Sequence, residues 1–543
     1  MYTNFHAPAP TQSTTMGIPS YFSYIIKNHV RIVRQIAQVG KVQHLFMDCN
    51  SIIYDLFHAM KEVVDESVLI DQIIERIRHY VRYIGPTKTL YIAFDGVAPL
   101  AKMEQQRTRR HKTVATATHN TNAWSTCNIT PGTPFMQQLS DKVHAAFQSM
   151  PGIETVKVST SSECGEGEHK LFQHIRTQSL TRTNQENAAV YGLDSDLIML
   201  SLFHCDHFNK LYVFRETPEF LSIPNISKDD PCHFLDIGEL ASAILAEMGQ
   251  MQNPQNGRSK NQMYDYVLMC FFLGNDFLPH FPALNLRTHG LSVLMQTYRQ
   301  VFSKGKESLT MNKQIQWNHV HRFIQQLAKQ EHELWTQEYE TRAKWGRRKW
   351  STATDEDRDT ILQNVPVIYR AEEMYISPDE EGWQGRYYRA LLPHAPTPTH
   401  VCENYVEGLA WVFRYYTEGC VNWRWRYQYH YPPLLSDLSE HLSRSRTSDD
   451  SVVVTRSPRA PYSFRVQLAY VIPSQMHAQL LEPKVVECLH GLKRIIASQG
   501  IASPPPKLTY VWAFCRYFWE SHIVIDDISN ETLEEWDTAF STL

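Results

Sequence analysis

Residues 89–112 read TLYIAFDGVAPLAKMEQQRTRRHK, and their order decides the fold. An apolar, strand-like run, TLYIAF, leads straight into a carboxylate, Asp95. The chain continues into a helix whose Lys102, Gln106, Arg109 and Arg110 stand at i, i+4, i+7 and i+8, on one face. Two guanidiniums, an ammonium and an amide present many donors and no carboxylate, a set suited to a phosphate group. Alone, such a run is ordinarily a solvated helix face. The acids around it argue otherwise.

The same pattern recurs on either side. VQHLFMD is a short apolar run closing on Asp48, and AAVYGLDSDLIMLSLF carries a strand into Asp194 and Asp196. ETVKVS and LYVFRE read as two further strands. Helical segments alternate with them, so the expected fold is α/β, a parallel central sheet flanked by helices. Ligands of such sheets bind beyond the carboxyl ends of the strands, where Asp48, Asp95 and Asp194 all stand. GEGEHK sets Glu166 and Glu168 at the entrance to another helix, and Asp276 follows a buried helical stretch that breaks at Gly274.

Beyond about Leu286 the composition shifts toward helix, Trp and Tyr. At 543 residues the chain exceeds what one growing core accommodates, so two lobes are expected. The boundaries read as a flexible lead-in over 1–15, a catalytic domain over 16–300 and a second, mainly helical lobe over 301–543. Within the latter, 316–350 reads as one long, mostly polar helix and 508–525 as a packed apolar stretch. Residues 113–127 and 443–461 read as loops.

With 43% hydrophobic and 20% charged residues this is an ordinary globular composition. A net charge of -4 argues against indiscriminate coating of nucleic acid, so any such site must be a local basic patch. The helix above is one; Arg342, Lys344, Arg347, Arg348 and Lys349 form a second. Ten scattered cysteines without a CxxC pair indicate reduced thiols rather than a disulfide or zinc scaffold. No secretory signal and no membrane-length apolar run is seen, so the expectation is a soluble intracellular chain with no membrane partner, cytoplasmic in preference to nuclear.

The collected acids are Asp48, Asp95, Glu166, Glu168, Asp194, Asp196 and Asp276. Seven carboxylates cannot share a small volume ionised unless cations neutralise them. All-oxygen ligands suit hard ions, magnesium first and manganese second. Two such ions roughly 3.5–4 Å apart would serve in-line phosphodiester hydrolysis. Singly, each acid has a plainer explanation: Asp194 and Asp196 as helix caps, Glu166 and Glu168 as first-turn acids, Asp276 as a turn residue. Their convergence favours the metal reading.

The stretches MGIPSYF, LFMDCNSIIY, FDGVAPLAKMEQQRTRR, ITPGTPFM, GEGEHK, YGLDSDLIML and FLGNDFLPHFP, in that order, closely resemble the XRN family of 5′→3′ exoribonucleases, within the PIN-like 5′-nuclease class. GWQGRYYRALL and WRWRYQYHYPPLLSD resemble its second lobe, so the likeness runs from about Met16 into the 430s. The resemblance implies that all seven acids ligate or support magnesium. It implies that Lys102, Gln106, Arg109 and Arg110 form a pocket for a 5′-monophosphate on single-stranded RNA. It further implies that the first bases stack between Tyr54, where the family usually has His, and a Trp of the second lobe. Trp423 and Trp425 are both candidates for that Trp, with core packing the alternative for each.

Other departures are Ser51, where the family commonly has Gly, and Cys164, where Pro is usual before Gly165. The chain ends soon after the nuclease-like region, so a short form without the family's long C-terminal extension is expected, with residues 1–15 additional. The implied activity is processive, magnesium-dependent hydrolysis of 5′-monophosphorylated RNA to nucleoside 5′-monophosphates, a step of RNA decay. Two alternatives use the same residues: a flap-type structure-specific DNA nuclease and a catalytically inactive RNA-binding scaffold.

Overall fold

A computed structural model describes residues 20–60, 64–116, 124–178, 185–217, 223, 226, 230–249, 257–302, 307–444, 457–498 and 509–543. The expected lead-in over 1–15 lies outside them, as does most of the expected loop over 443–461. In chain order the first lobe runs α1 (Tyr21–Asn28), β1 (Val33–Arg34), β2 (His44–Asp48), α2 (Asn50–Ala59) and α3 (Glu66–Ile84). It continues through β3 (Thr89–Ala93), α4 (Leu100–Thr116), α5 (Pro134–Ala146), β4 (Thr155–Ser159) and α6 (Gly167–Gln178). β5 (Asn187–Tyr191), α7 (Asp196–His204), β6 (Lys210–Glu216), β7 (Cys232–Asp236) and α8 (Ile237–Glu247) follow.

These strands form one sheet in the order β1-β7-β6-β5-β2-β3-β4. The five strands from β4 to β6 are mutually parallel, and β7 and β1 add antiparallel at one edge. The five parallel strands are the five expected from sequence. With the antiparallel pair at its edge, the sheet is the expected parallel central sheet flanked by helices, mostly parallel in its seven strands. β2 and β3 are buried along their whole length because helices cover both faces, which is why they read as unbroken apolar runs. From β2 the chain steps outward to β3 and β4, then returns to β5 on the other side of β2. That reversal opens a crevice at the carboxyl ends of β2 and β5, the place where open α/β sheets bind ligands.

Local signals fix the helices around it. Asp65 caps α3 by accepting from Ser67 and Val68 N–H, and Gly85 ends it with φ 64°, a backbone angle that costs glycine nothing. Thr133 caps α5, whose first residue is Pro134. α4 extends to Thr116, into the loop expected over 113–127, and residues 117–123 of that stretch lie outside the described ones.

Among the described residues the second lobe is helical apart from two short antiparallel pairs, Thr310–Met311 with Gln314–Ile315 and Thr509–Val511 with His522–Val524. The expected single helix over 316–350 is two, Trp317–Ala328 and Glu331–Gly346, interrupted at Lys329 and Gln330. The basic patch expected there loses one member: Arg342 is fully buried and paired with Glu373 at 2.6 Å. One apolar core runs from Tyr21 in α1 to Phe514 near the C-terminal end, across the boundary expected at residue 300. Helix Pro398–Thr417, buried on most of its surface, reaches from the second lobe onto α7. Among the described residues no helix is long and apolar enough to cross a membrane.

Candidate active site

Asp48 is the last residue of β2, and Asp95 and Asp194 follow β3 and β5 by two and three positions. A short relay of backbone bonds ties these turns together. Asn50 N–H donates to Asp48 Oδ1 (3.4 Å), Asp95 N–H to Asn50 Oδ1 (3.1 Å) and Gly167 N–H to Asp95 Oδ1 (2.7 Å). Gly167 must lack a side chain, since a Cβ there would lie 2.5 Å from Asp48 Oδ1. With α6 so close, Glu168 comes beside the strand ends. One carboxylate oxygen each of Asp48, Glu168 and Asp194 lies within 4.8 Å of the others.

Asp48, Asp95, Glu166, Glu168 and Asp194 line one cleft together with Lys102, Gln106, Arg109, Arg110 and Tyr54. Asp196 and Asp276 stand behind it. The Lys102 ammonium, itself buried, lies 2.6 Å from Glu166 Oε2 and 2.5 Å from Asp276 Oδ2. It therefore joins the acids to the donor face instead of standing only among the phosphate donors. Burial alone would lower its pKa, but Asp276, Glu166 and Glu168 hold it well above the ordinary value.

The acids are strained electrostatically. Burial first, then Asp95 and Asp194, pushes Asp48 well above the usual carboxylate range. Burial, then Asp196 and Glu166, does the same to Glu168, and burial, then Asp276, to Asp196. Glu166 is raised by burial against the opposing pull of Lys102. Two buried oxygens, Glu168 Oε2 and Asp196 Oδ1, have no hydrogen-bond partner. Converging carboxylates, oxygen-only donors and orphaned acceptors fit a divalent cation.

The opposite wall is held by neutral groups, with Arg110 Nε left buried without a hydrogen-bond partner. Arg110 donates to the Tyr54 hydroxyl (2.9 Å) and to Ile129 C=O (3.0 Å), and Gln106 Oε1 accepts from the Gln467 amide (3.4 Å). The guanidinium carbons of Arg109 and Arg110 each lie 5.9 Å from the Tyr54 ring centroid. Arg109 is the more exposed of the two. Of the two tryptophans, Trp423 is half-buried beside Gly165, one residue before Glu166, and its C=O accepts from Leu100 N–H at the start of α4. Trp425 is buried, stacked on Trp411 at 5.0 Å, with its ring filling the space beside Gly408. Its ring faces the core.

Several contributors carried no sequence signal. The Tyr415 hydroxyl donates to Glu166 Oε1 (2.7 Å), and Tyr416 hydrogen-bonds Asp196, both from helix Pro398–Thr417. Asp55 also lines the cleft from α2, its pKa raised to about 6 by burial first and Glu216 second. Arg215, fully buried at the end of β6, lies against the Phe22 ring at 3.7 Å, with Asp194 the first of the acids acting on it. Asn50 was legible in principle, as a side chain two residues beyond a strand-end acid.

Residues 16–217 match a family model described as XRN 5′-3′ exonuclease N-terminus, and residues 259–378 and 369–448 match one described as Xrn1 helical domain. The chain is similar to the 5′-3′ exoribonuclease 2 homolog of Drosophila melanogaster, 26% identical over 86% of this chain and 65% of that protein. Against 5′-3′ exoribonuclease 2 of Arabidopsis thaliana the figures are 24%, 84% and 61%, and against 5′-3′ exoribonuclease 1 of Schizosaccharomyces pombe 25%, 85% and 44%. The chain thus spans less than two thirds of the length of these relatives. Among solved structures, the catalytic core of Rad2 in complex with DNA substrate aligns at 14% identity and TM-score 0.30, over 54% of this chain and 74% of that one. That likeness is too slight to bear on fold or substrate.

Proposed function

The chain belongs to the XRN 5′-3′ exonuclease family, and on that premise we propose that it is a processive 5′→3′ exoribonuclease acting on 5′-monophosphorylated single-stranded RNA. One observation carries the reading: a single cleft joins a converging acid cluster to a carboxylate-free wall of Gln106, Arg109 and Arg110, with the Tyr54 ring between them. Magnesium, with manganese as a substitute, would be held by Asp48, Glu168 and Asp194, backed by the other acids, and would offset charge on the attacking and leaving oxygens.

The protein's own side chains set the register. Arg109 and Arg110 take the terminal phosphate in charge-assisted hydrogen bonds, and Gln106 adds a neutral donor. The Tyr54 ring offers a platform for the first base. The next phosphodiester then lies over the acids. Water attacks its phosphorus, and the 3′-oxygen of the first nucleotide departs with a proton. Release of the nucleoside 5′-monophosphate leaves a new 5′-monophosphate on the RNA, which is again the preferred end. A 5′-hydroxyl would leave the buried Arg110 guanidinium without an anion, and a triphosphate or cap would exceed the donors available. Lys102 couples the halves, because its ammonium bridges Glu166 and Asp276 from the same helix that carries the phosphate donors.

The test uses one single-stranded RNA with a 5′-monophosphate, 5′-hydroxyl or 5′-triphosphate, in magnesium or EDTA, with Asp194→Ala plus Asp196→Ala as the control. Mononucleotide release from the monophosphate RNA alone, lost in EDTA and in the control, is expected. Equal cleavage of all three ends, or internal cuts, would overturn the phosphate pocket in favour of a flap-type nuclease.

A further inference from the structure

α4 carries a second polar stripe beside the cleft wall. Gln105, Arg109 and Lys112 stand at i, i+4 and i+7, so Arg109 belongs to both faces. The new stripe meets the C-terminal hairpin, where the Lys112 ammonium donates to Trp519 C=O at 3.2 Å and to Ser521 C=O. His522 opens the hairpin's second strand, its ring stacked on His430 at 4.9 Å and 19°. His280, four residues beyond Asp276, lies within electrostatic range of His522. Arg287 ties the same turn to the hairpin by pairing with Glu520 at 2.6 Å.

These groups are recessed and unused. His280 and His522 are half-buried and His430 is exposed, yet all three are lowered from the ordinary imidazole value, by burial first. None of the three rings hydrogen-bonds among the described residues, and Gln105 Oε1 is buried without a partner. The acids within range are committed elsewhere, Glu104 to Arg426 at 2.7 Å and to the Tyr470 hydroxyl, Glu520 to Arg287. One solvated histidine is ordinary. Three recessed imidazoles and an ammonium, with no uncommitted carboxylate among them, present N–H donors that suit an anion. Gln105 Oε1 has the opposite need, a donor, which a bare phosphate supplies less readily than a sugar hydroxyl or base N–H. We propose that this recess is a second phosphate-monoester site, where His280, His430, His522 and Lys112 hold the phosphate and Gln105 accepts from the nucleoside. Its ligand is a nucleoside 5′-monophosphate released from the cleft. That identity rests on the exoribonuclease reading; the donor set does not. Arg109 stands about 4.5 Å of helix rise from Lys112, so the two phosphate sites adjoin through a shared guanidinium.

No bond is made or broken at this site, and its role is binding alone. The test titrates uridine 5′-monophosphate, uridine and inorganic phosphate into the full chain by calorimetry in EDTA, with the cleft empty and with it saturated by 5′-monophosphorylated RNA. The RNA-saturated chain is expected still to bind one uridine 5′-monophosphate, to bind uridine at least 10-fold more weakly, and to bind inorganic phosphate more weakly as well. His430→Ala removes an exposed ring, so folding is not at stake, and should weaken the mononucleotide about 10-fold, as loss of a hydrogen bond to a charged group does. Gln105→Leu should weaken it about 3-fold and leave inorganic phosphate unchanged. Loss of all mononucleotide binding on RNA saturation, or binding that neither variant alters, would overturn the proposal. Equal affinity for inorganic phosphate and the mononucleotide would overturn the product as its ligand and make free phosphate the source. Failure of the exoribonuclease reading shows separately, as no mononucleotide release from RNA in magnesium while the titration stands.

Discussion

The two sides of the cleft are held in opposite ways. On the acid side, Asp48, Glu168 and Asp196 are pushed out of the usual carboxylate range by burial and by each other, and two of their neighbours' or their own oxygens have no partner. On the α4 side, Arg110 and Gln106 bond only to the neutral groups of Tyr54, Ile129 and Gln467, and Arg110 Nε is buried without a hydrogen-bond partner. One side is therefore built at a cost that a cation relieves, and the other, held by neutral partners, keeps a guanidinium donor for an anion. The acids come from strand ends and from the helix starts and turns beside them, all within the first lobe. The donor wall is finished by a residue 361 positions away in the second.

The strongest way to break this contrast is to remove charge from the acid side. Asp48→Asn is expected to cut hydrolysis on the order of 10^3-fold or more while leaving the metal-free protein at least as stable, because a buried like charge is gone. Linkage gives the sign. Asp48, Glu168 and Asp196 have folded-state pKa values raised above their unfolded ones. Their contribution to stability is full below about pH 4 and is lost as pH rises through the raised folded values. Magnesium replaces those protons, so its stabilising shift in Tm should be larger at pH 8 than at pH 5. An equal shift at both values would show that the acids are not strained.

The tryptophans sharpen the same division between finished packing and ligand-facing surface. Trp425→Ala is expected to cost about 3–5 kcal/mol of stability, as for a large buried aromatic, since its ring fills space against Trp411 and Gly408. Trp423→Ala should cost little stability and weaken RNA binding about 5- to 100-fold, the range for one lost base stack. Denaturation midpoints and RNA affinity measured on both variants separate the roles; a reversal would put the stacking ring at Trp425.

Arg109 is the half-buried member of a donor wall whose Gln106 and Arg110 are buried, so its truncation tests phosphate recognition with the least damage to packing. Arg109→Ala is expected to lower kcat/KM about 10- to 100-fold on 5′-monophosphate RNA and not on 5′-hydroxyl RNA. Equal losses would assign the guanidinium to the RNA backbone generally.

What could be read in advance follows the range of the interactions. The five parallel strands and the acids at their ends are local signals, an apolar run and the residue that stops it, and the sheet brings them together as the pattern requires. β1 has two residues, too few for any period to register, whereas β7 is as long as β2, β3, β4 and β5, and its antiparallel direction is not a local signal. Arg342 read as part of a basic face because nothing in RAKWGRRKW announces that Glu373 lies beneath it. Lys102 read as a phosphate donor from its place on α4, but its pairing with Asp276 crosses 174 residues. Tyr415 and Tyr416 read as one more aromatic pair in a helix already rich in them. Long-range closure of a polar network leaves no mark on the segments that contribute to it.

Tyr415 is where that closure is most directly testable, and there the expected effect is smallest. Its hydroxyl is the only group from helix Pro398–Thr417 that hydrogen-bonds Glu166 among the described residues, and it meets the carboxylate oxygen opposite the one held by Lys102. Tyr415→Phe keeps the ring against His169 and Trp411, so packing is preserved and one donor is lost. A buried carboxylate left short of one hydrogen bond costs about 1–3 kcal/mol, and with Lys102 still in place the lower end applies. Activity should fall about 3- to 10-fold, with the unfolding midpoint lowered by a few degrees at most. If Glu166 serves the acid side, added magnesium should recover part of the loss, because a cation replaces the missing donor in holding the carboxylate. If magnesium recovers nothing while stability falls, Tyr415 belongs to the finished packing of the second lobe, and the boundary between the two kinds of surface lies at Lys102.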